Sequence, residues 1–476
     1  MRMSAPLSAF GPLVRPVGRA RTGRRMARWL ATIAALALSG QVASAQSILR
    51  DAETEALFRD MSAPLVKAAG LDPKNVDVVL VNDGEVNAFV AGGQAVYVNS
   101  GLIAEADNAN EVQGVIAHEL GHVVGGHAID TRGMTQATHV TLLSLLLAGA
   151  AAAAGGGEAA MGIFMAGQQA AMGQYLAYTR GEEEAADAAS TKFLSGAGIS
   201  GRGSVEFFHK LLKMENRYGI TRSDEAAFWS THPMTDDRIQ YLTDAFEKDP
   251  AWKKPNDPAL EARFARVKAK LYGYLADPQE TLRAFPEYMT GVPARYARAY
   301  AWHKEGFLDK AMGETDALLA TAPNDPYFLE LKGQILLEAG HPAEAIGPLR
   351  RATDLTGAQP LIATTFGHAL MAADERAGTS EHLAEAQRVL RASLSRDREN
   401  PFAWYVLGTI YERAGDGPRA RLASAEQQSL SGNMAEAMMN AQAALQGLKP
   451  GTPDYLRAED IAMEARTALA RAKKKR

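Results

Sequence analysis

The sequence predicts a mainly α-helical protein in two parts: a helical domain with a small antiparallel β-sheet, followed by an α-helical solenoid. Three observations lead there. Alternating β-branched residues are confined to residues 75–100, the pattern turns helical from Asn108 onward, and beyond residue 290 small residues return at a period near 34. With 476 residues, 47% apolar and 22% charged, the chain has material for two or three cores at about 150 residues each, which excludes a disordered or fibrous protein.

The first 45 residues hold seven arginines and no acid, then the apolar run Trp29 to Leu38 and the small-x-small triplet Ala43-Ser44-Ala45. This predicts a cleaved secretory signal peptide over 1–45, with Gln46 opening the mature chain. The apolar run is half of the roughly 20 residues a spanning helix needs, so an uncleaved anchor is only the alternative. Met26-Ala27-Arg28 would itself begin a signal peptide of ordinary length, which leaves Met1 and Met26 both open as starts. The whole chain carries −4, but without those seven arginines 44 basic residues face 55 acidic ones. An acidic body argues against a nucleic-acid partner, because phosphate binding needs clustered Lys and Arg. Cysteine is absent, so disulfides, thiolate zinc sites and a cysteine nucleophile are excluded and any metal falls to His and carboxylates.

Along the mature chain, Asn75 to Asn82 reads as a strand, and Val86 to Ser100 as two short strands around Gly92-Gly93, a hairpin. Thr141 to Ala154 is strongly apolar but about 14 residues long, too short to span a bilayer, and is expected as part of a buried helical hairpin. Helices follow over Glu158 to Leu194 and Ser204 to Arg217, and the polar, proline-bearing Lys248 to Pro258 reads as a linker. The expected divisions are 1–45, 46–250, a connecting segment 251–292, and repeats over 293–476. In the last part Ala299, Gly333, Gly367 and Gly408 mark successive units, with Ala311, Ala345, Ala386 and Ala420 following; the period is that of tetratricopeptide repeats. The third unit is lengthened by an insertion near Glu375 to His382. Gly432, Ala437 and Ala444 mark one more helix pair, and Tyr455 to Arg471 would cap the stack.

The chemistry is concentrated in His118-Glu119-Leu120-Gly121-His122, the H-E-x-x-H pattern. Imidazoles four apart share one helix face and can reach one Zn²⁺, and Glu119 falls where it can take a proton from water at the metal. A catalytic zinc needs a third protein ligand and an open position. Gly125 and Ala128 do not complete a metzincin pattern. His127, five after His122 and about 140° round a helix from it, is expected to point away as a surface or core histidine. The remaining candidates are Glu182, Glu183 and Glu184. Of these, Glu183 shares a helix face with Asp187 while its neighbours turn away by about 100° each.

Thr179-Arg180-Gly181-Glu182-Glu183-Glu184-Ala185-Ala186-Asp187 resembles a signature of the HtpX and CAAX-prenyl-protease group of gluzincins. Ser230-Thr231-His232-Pro233-Met234-Thr235-Asp236-Asp237-Arg238-Ile239 resembles a second box of that group, and Asn87-Ala88-Phe89 and Ala95 to Leu102 match its edge-strand segment. The resemblance implies a gluzincin-type metalloprotease domain holding one Zn²⁺ per chain through His118, His122 and Glu183. It also implies Glu119 as general base and Asp187 as the group that fixes a ligand histidine. His232 is implied either as a transition-state donor or as a reversible extra zinc ligand. Thr235 would cap the next helix, with Asp236 and Asp237 in its first turn. Val96 to Ser100 would be the edge to which substrate adds as a strand.

Members that join a signal peptide, such a domain and tetratricopeptide repeats imply a soluble periplasmic endopeptidase. Its substrates would be unfolded, misfolded or misassembled envelope and outer-membrane polypeptides, with chaperone activity besides. The repeats would engage the outer-membrane β-barrel assembly machinery, and membrane contact would be at most peripheral. The alternative from another class is a non-proteolytic repeat scaffold or chaperone with a structural or latched zinc; an intact Glu119 counts against it.

Overall fold

The computed structural model describes residues 47–127, 143–145, 147, 157–218, 232 and 235–475. The expected signal peptide, most of Thr141 to Ala154, and Ser230, Thr231, Pro233 and Met234 lie outside the described residues.

Strand β1 (Ser47–Leu49) leads into α1 (Ala52–Ala68), whose N-cap Asp51 accepts a hydrogen bond from the Thr54 amide at 2.9 Å. Strands β2 (Val78–Asn82), β3 (Ala88–Ala91) and β4 (Ala95–Asn99) complete a four-stranded sheet in the order β1-β2-β4-β3. β3 and β4 form the expected antiparallel hairpin, Phe89 opposite Tyr97, turned by Gly92 and Gly93 at φ 64° and 105°. The sheet as a whole is nonetheless mixed, because β2 runs parallel to β4 with Leu80 beside Val98. Val96 and Val98 are both fully buried and draw β4 to the centre, while the partly exposed β3 stays at the rim. β4, expected as a free edge, is therefore covered on both sides, and the edge belongs to β3.

Helices α2 (Ser100–Glu105), α3 (Ala109–Gly125), α4 (Gly157–Ala197), α5 (Arg202–Tyr218) and α6 (Asp236–Glu247) pack with α1 and the sheet around one core. That core runs through Leu57, Phe58, Val98, Ile116, Leu120, Phe208 and Leu242. The central helix α3 is capped by Asn108, which accepts from the Glu111 amide at 3.0 Å, and is fully buried for most of its length. Two glycines let its neighbours close in. A Cβ at Gly114 would lie 2.5 Å from Cα of Ser204 on α5, and one at Gly121 would lie 2.7 Å from Cα of Ala186 on α4. Thr235 caps α6 as expected, accepting from the Arg238 amide at 3.3 Å, with Asp236 and Asp237 in the first turn. Of the apolar stretch beginning at Thr141, Leu143, Ser144, Leu145 and Leu147 are helical. Ser144 is buried against the Gly167 position of α4, but the three leucines are more than half exposed, so these residues do not form the buried face expected of them.

After a 3-10 turn (Pro250–Lys253), α7 (Pro258–Leu275) adds Phe264, Val267 and Leu271 to the same core, and α8 (Pro278–Ala284) follows. Five helix pairs then succeed one another. They are α9 (Val292–Lys304) with α10 (Leu308–Thr321), α11 (Pro326–Glu338) with α12 (Pro342–Leu355), and α13 (Pro360–Ala377) with α14 (Leu383–Arg396). The last two pair α15 (Pro401–Arg413) with α16 (Gly417–Leu430) and α17 (Met434–Leu445) with α18 (Pro453–Lys475). The small markers have a steric cause: a Cβ at Gly333 would lie 2.3 Å from Leu349, and one at Gly367 2.7 Å from Leu390, each on the second helix of its unit. The insertion in the third unit lengthens α13 by a turn, and the helix ends at Gly378. There the buried Asp374 accepts from the backbone N–H of His382 at 2.8 Å and from the Thr379 hydroxyl at 3.0 Å.

A polar junction ties α1 to α7 and to the repeats. Glu53 is 4% exposed; it accepts the hydroxyl of Tyr296 at 2.8 Å and pairs with Arg266 and Lys270. Arg266 also reaches Asp325 at 2.6 Å, Lys270 also pairs with Asp51, and Arg50 reaches Asp397 at 3.1 Å.

Candidate metal centre

His118 and His122 stand one turn apart on α3, and α4 crosses that helix where Gly121 meets Ala186. The close crossing carries Glu183, three residues before Ala186, to both imidazoles. Its Oε2 is 3.3 Å from Nε2 of His118, and its Oε1 is 3.3 Å from Nε2 of His122. The two Nε2 atoms are 3.2 Å apart. His232 enters from the segment before α6, its Nδ1 3.4 Å from Nε2 of His118 and 2.9 Å from Oε1 of Glu183. Each of these four residues offers an atom to a group within 4.8 Å, and all four are buried. Glu184 is exposed, and Glu182 is only partly buried and outside the cluster.

The far nitrogens of the two imidazoles on α3 are engaged elsewhere. Nδ1 of His118 is 2.9 Å from Oδ1 of Asp187, and Nδ1 of His122 is 2.8 Å from Nδ1 of His127. Protons on Nδ1 would leave both Nε2 atoms, facing each other and a carboxylate, as donor atoms for a cation between them. Bonds of about 2.0–2.1 Å in a tetrahedral site give ligand separations of roughly 3.3 Å, so the donor set fits a single small divalent cation.

Electrostatics follow from burial and partners. Burial opposes charge on His118, but Asp187 and Glu183 outweigh it and hold the imidazole up at about 10. His122 is pushed down to about 4, chiefly by burial. Burial would raise Glu183, yet hydrogen bonds from His118, His122 and His232 hold it well below the carboxylate range. Asp187 is likewise held low, against its burial, first by Arg238. Glu119, 1% exposed, has neither carboxylate oxygen hydrogen-bonded; Nε2 of His232 lies 3.6 Å from its Oε1. Burial raises its pKa, making it a stronger base than an exposed glutamate.

Two residues that the sequence reading did not place take part. Arg238 reaches Asp187 through Nε at 2.7 Å and Nη2 at 2.9 Å, and Glu183 through Nη1 at 2.9 Å. It lies inside the quoted box around His232, where its spacing alone gave it no role. His127 was expected to point away. It does not, because α3 ends at Gly125 and Gly126 turns left-handed at φ 70°, so the helical 140° no longer applies.

Donors spaced for one cation, with a basic carboxylate beside them, meet the requirement for hydrolysing a peptide bond by metal-activated water, and the class they define is metalloendopeptidase. That class has a family here: residues 49–245 match peptidase family M48, and the chain belongs to it. The Metalloprotease YcaL of Escherichia coli (strain K12) is 31% identical over 186 residues, 38% of this chain and 67% of its own. The Beta-barrel assembly-enhancing protease of Yersinia pestis is 24% identical over 372 residues, 75% of this chain and 72% of that one. Among solved structures, YrrB, described as a TPR protein with an unusual peptide-binding site, aligns with 38% of this chain and 92% of its own at 18% identity and a TM-score of 0.30. Among the described residues no helix is long and apolar enough to cross a membrane.

Proposed function

We propose that this chain is an exported, periplasmic zinc endopeptidase that acts on misfolded or misassembled outer-membrane proteins and uses its repeats to engage clients or the β-barrel assembly machinery. The observation that carries the enzymatic part is the convergence of the Nε2 atoms of His118 and His122, 3.2 Å apart, and the Glu183 carboxylate on one point, with the buried Glu119, neither oxygen hydrogen-bonded, alongside. The name of the Yersinia pestis relative, with which similarity runs through protease and repeats alike, supports the cellular role.

In this reading His118, His122 and Glu183 hold the zinc, which when bound polarises the scissile carbonyl and acidifies water. Glu119 takes the proton from the attacking water and returns it to the leaving amine nitrogen; its burial suits it to both tasks. Asp187 fixes the His118 tautomer, and Arg238 holds the carboxylates of Asp187 and Glu183 in place. Substrate adds, main chain to main chain, to the outer edge of β3, which packs against α3 and which no strand among the described residues covers. His232 reaches the same cluster as the three ligands, which favours a latch in which it fills the open position of the resting enzyme.

The test is Glu119→Gln. Casein cleavage should be lost while zinc content, measured on the same sample, equals that of the native chain. Retained turnover in metal-replete mutant protein overturns the assignment.

A further inference from the structure

The turn that ends α3 places a second imidazole behind a metal-facing one. Gly126, left-handed at φ 70°, sends its N–H back to the carbonyls of His122 and Val123, so the next residue folds over the helix end. There the ring of His127 lies across Gly125: a Cβ at Gly125 would sit 2.4 Å from Nε2 and 2.7 Å from Cε1 of that ring. Glycine at 125 thus opens the space and glycine at 126 aims the chain into it. The result is a 2.8 Å contact between the Nδ1 atoms of His122 and His127, with the rings edge to face at a centroid distance of 4.9 Å.

One of two facing imidazole nitrogens must carry the proton. Nε2 of His122 looks toward Nε2 of His118 and Oε1 of Glu183, so it must be unprotonated to serve as a donor atom. The proton is then on Nδ1 of His122, and Nδ1 of His127 accepts it. We propose that His127 is a positioning residue for the metal centre, an imidazole that fixes tautomer and ring orientation of His122 as Asp187 does for His118. The inference rests on the metal reading of the cluster. It makes the two halves of the site unequal. His118 is backed by a buried carboxylate, whereas His122 is backed by a partly exposed imidazole at the end of its helix. The weaker backing is on the side of His122, and metal loss should begin there.

Three variants of the full chain separate hydrogen bond from packing. His127→Phe keeps a ring across Gly125 but has no acceptor. His127→Asn places an amide oxygen close to where Nδ1 was. Gly125→Ala leaves His127 intact but takes its space. Each is loaded with zinc and its transfer to a chromophoric chelator is followed; each is also loaded with Co²⁺ for its absorption spectrum, and the metal-free forms are compared in thermal unfolding. Removing such a partner weakens metal retention about 10- to 100-fold. The expected result is faster zinc loss and an altered Co²⁺ spectrum for His127→Phe and Gly125→Ala, recovery toward native in His127→Asn, and similar unfolding of all metal-free forms. Native retention and spectrum in His127→Phe would overturn the proposal. So would equal zinc loss in His127→Phe and His127→Asn, since the ring rather than its acceptor would then matter. A native chain that takes up no zinc at all would instead sink the metal reading, and that control comes first.

Discussion

At the residue scale the centre is a set of buried charges that hold one another in place. Arg238 bridges two carboxylates, each of which touches an imidazole of α3, whereas the third carboxylate, Glu119, has neither oxygen hydrogen-bonded. In the proposed mechanism Glu119 is the group asked to change protonation during the reaction. His232 has the opposite character, a fourth donor inside a set that needs an open position for water. As a latch, it predicts that His232→Ala at equal zinc occupancy cleaves a generic unfolded substrate several-fold faster than the native chain. A mutant slower by about 10²-fold would assign His232 to oxyanion stabilisation instead. Much of this grouping was legible in the sequence: His118, Glu119 and His122 through the H-E-x-x-H spacing, Glu183 and Asp187 through the resemblance of their segment to a family signature, and His232 through its box. Arg238 and His127 were not. The first acts across an interhelix contact that no spacing encodes, and the second depends on where a helix stops rather than on its phase.

At the element scale, the crossing of α3 and α4 sets the geometry of the whole centre. Gly121 has no freedom to grow, with Cα and the carbonyl oxygen of Ala186 at 2.7 and 2.8 Å from its missing Cβ. Gly121→Val should force the helices apart by an ångström or more, carrying Glu183 away from both imidazoles. Zinc content and casein cleavage should fall together, with the unfolding midpoint lowered by overpacking of about 1–3 kcal/mol. Native metal content in a folded Gly121→Val protein would contradict this. Helices α4 and α5 were predicted to within three residues of their ends, and Thr235 as the cap of α6, because periodicity and caps are local signals, whereas α1 was not predicted. Strand order was not, since which strand becomes central depends on burial against α1 and α3. Nor were the outward-facing Leu143, Leu145 and Leu147 foreseen, whose composition reads as core.

For the whole molecule, the junction between α1, α7 and the repeats joins the ion pairs of Glu53 with Arg266 and Lys270 to an apolar contact of Ala52 with Leu329, Ala352 and Ile362. Glu330 on α11 faces it, with an oxygen sealed from solvent and without a hydrogen-bond partner. Burial, only partly offset by Lys270 and reinforced by the charges of Asp51, Glu53 and Glu55, pushes its pKa from 4.5 up to about 8. In the unfolded chain this carboxyl releases its proton near 4.5, whereas in the folded chain it keeps it until about 8. Between those values the folded state binds the extra proton, so stability falls as pH rises; below 4.5 both states are protonated and the group contributes nothing. Glu330→Gln should flatten that slope, read as urea midpoints on either side of the window. An unchanged slope would remove Glu330 from the account.

The same junction bears on the order in which the molecule can be completed. Glu53 and Asp51 are made early in translation, but their partners Lys270 and Tyr296 come 217 to 243 residues later, and Arg50 waits 347 residues for Asp397. Contacts of such separation close late, after local helices have formed. While the chain emerges, the first helix of the catalytic domain therefore lacks these polar partners until α7 and the first repeat helix have followed it, and Arg50 before it waits for the third repeat unit and beyond, so the protease reaches its finished form only together with the part of the chain that would select its clients.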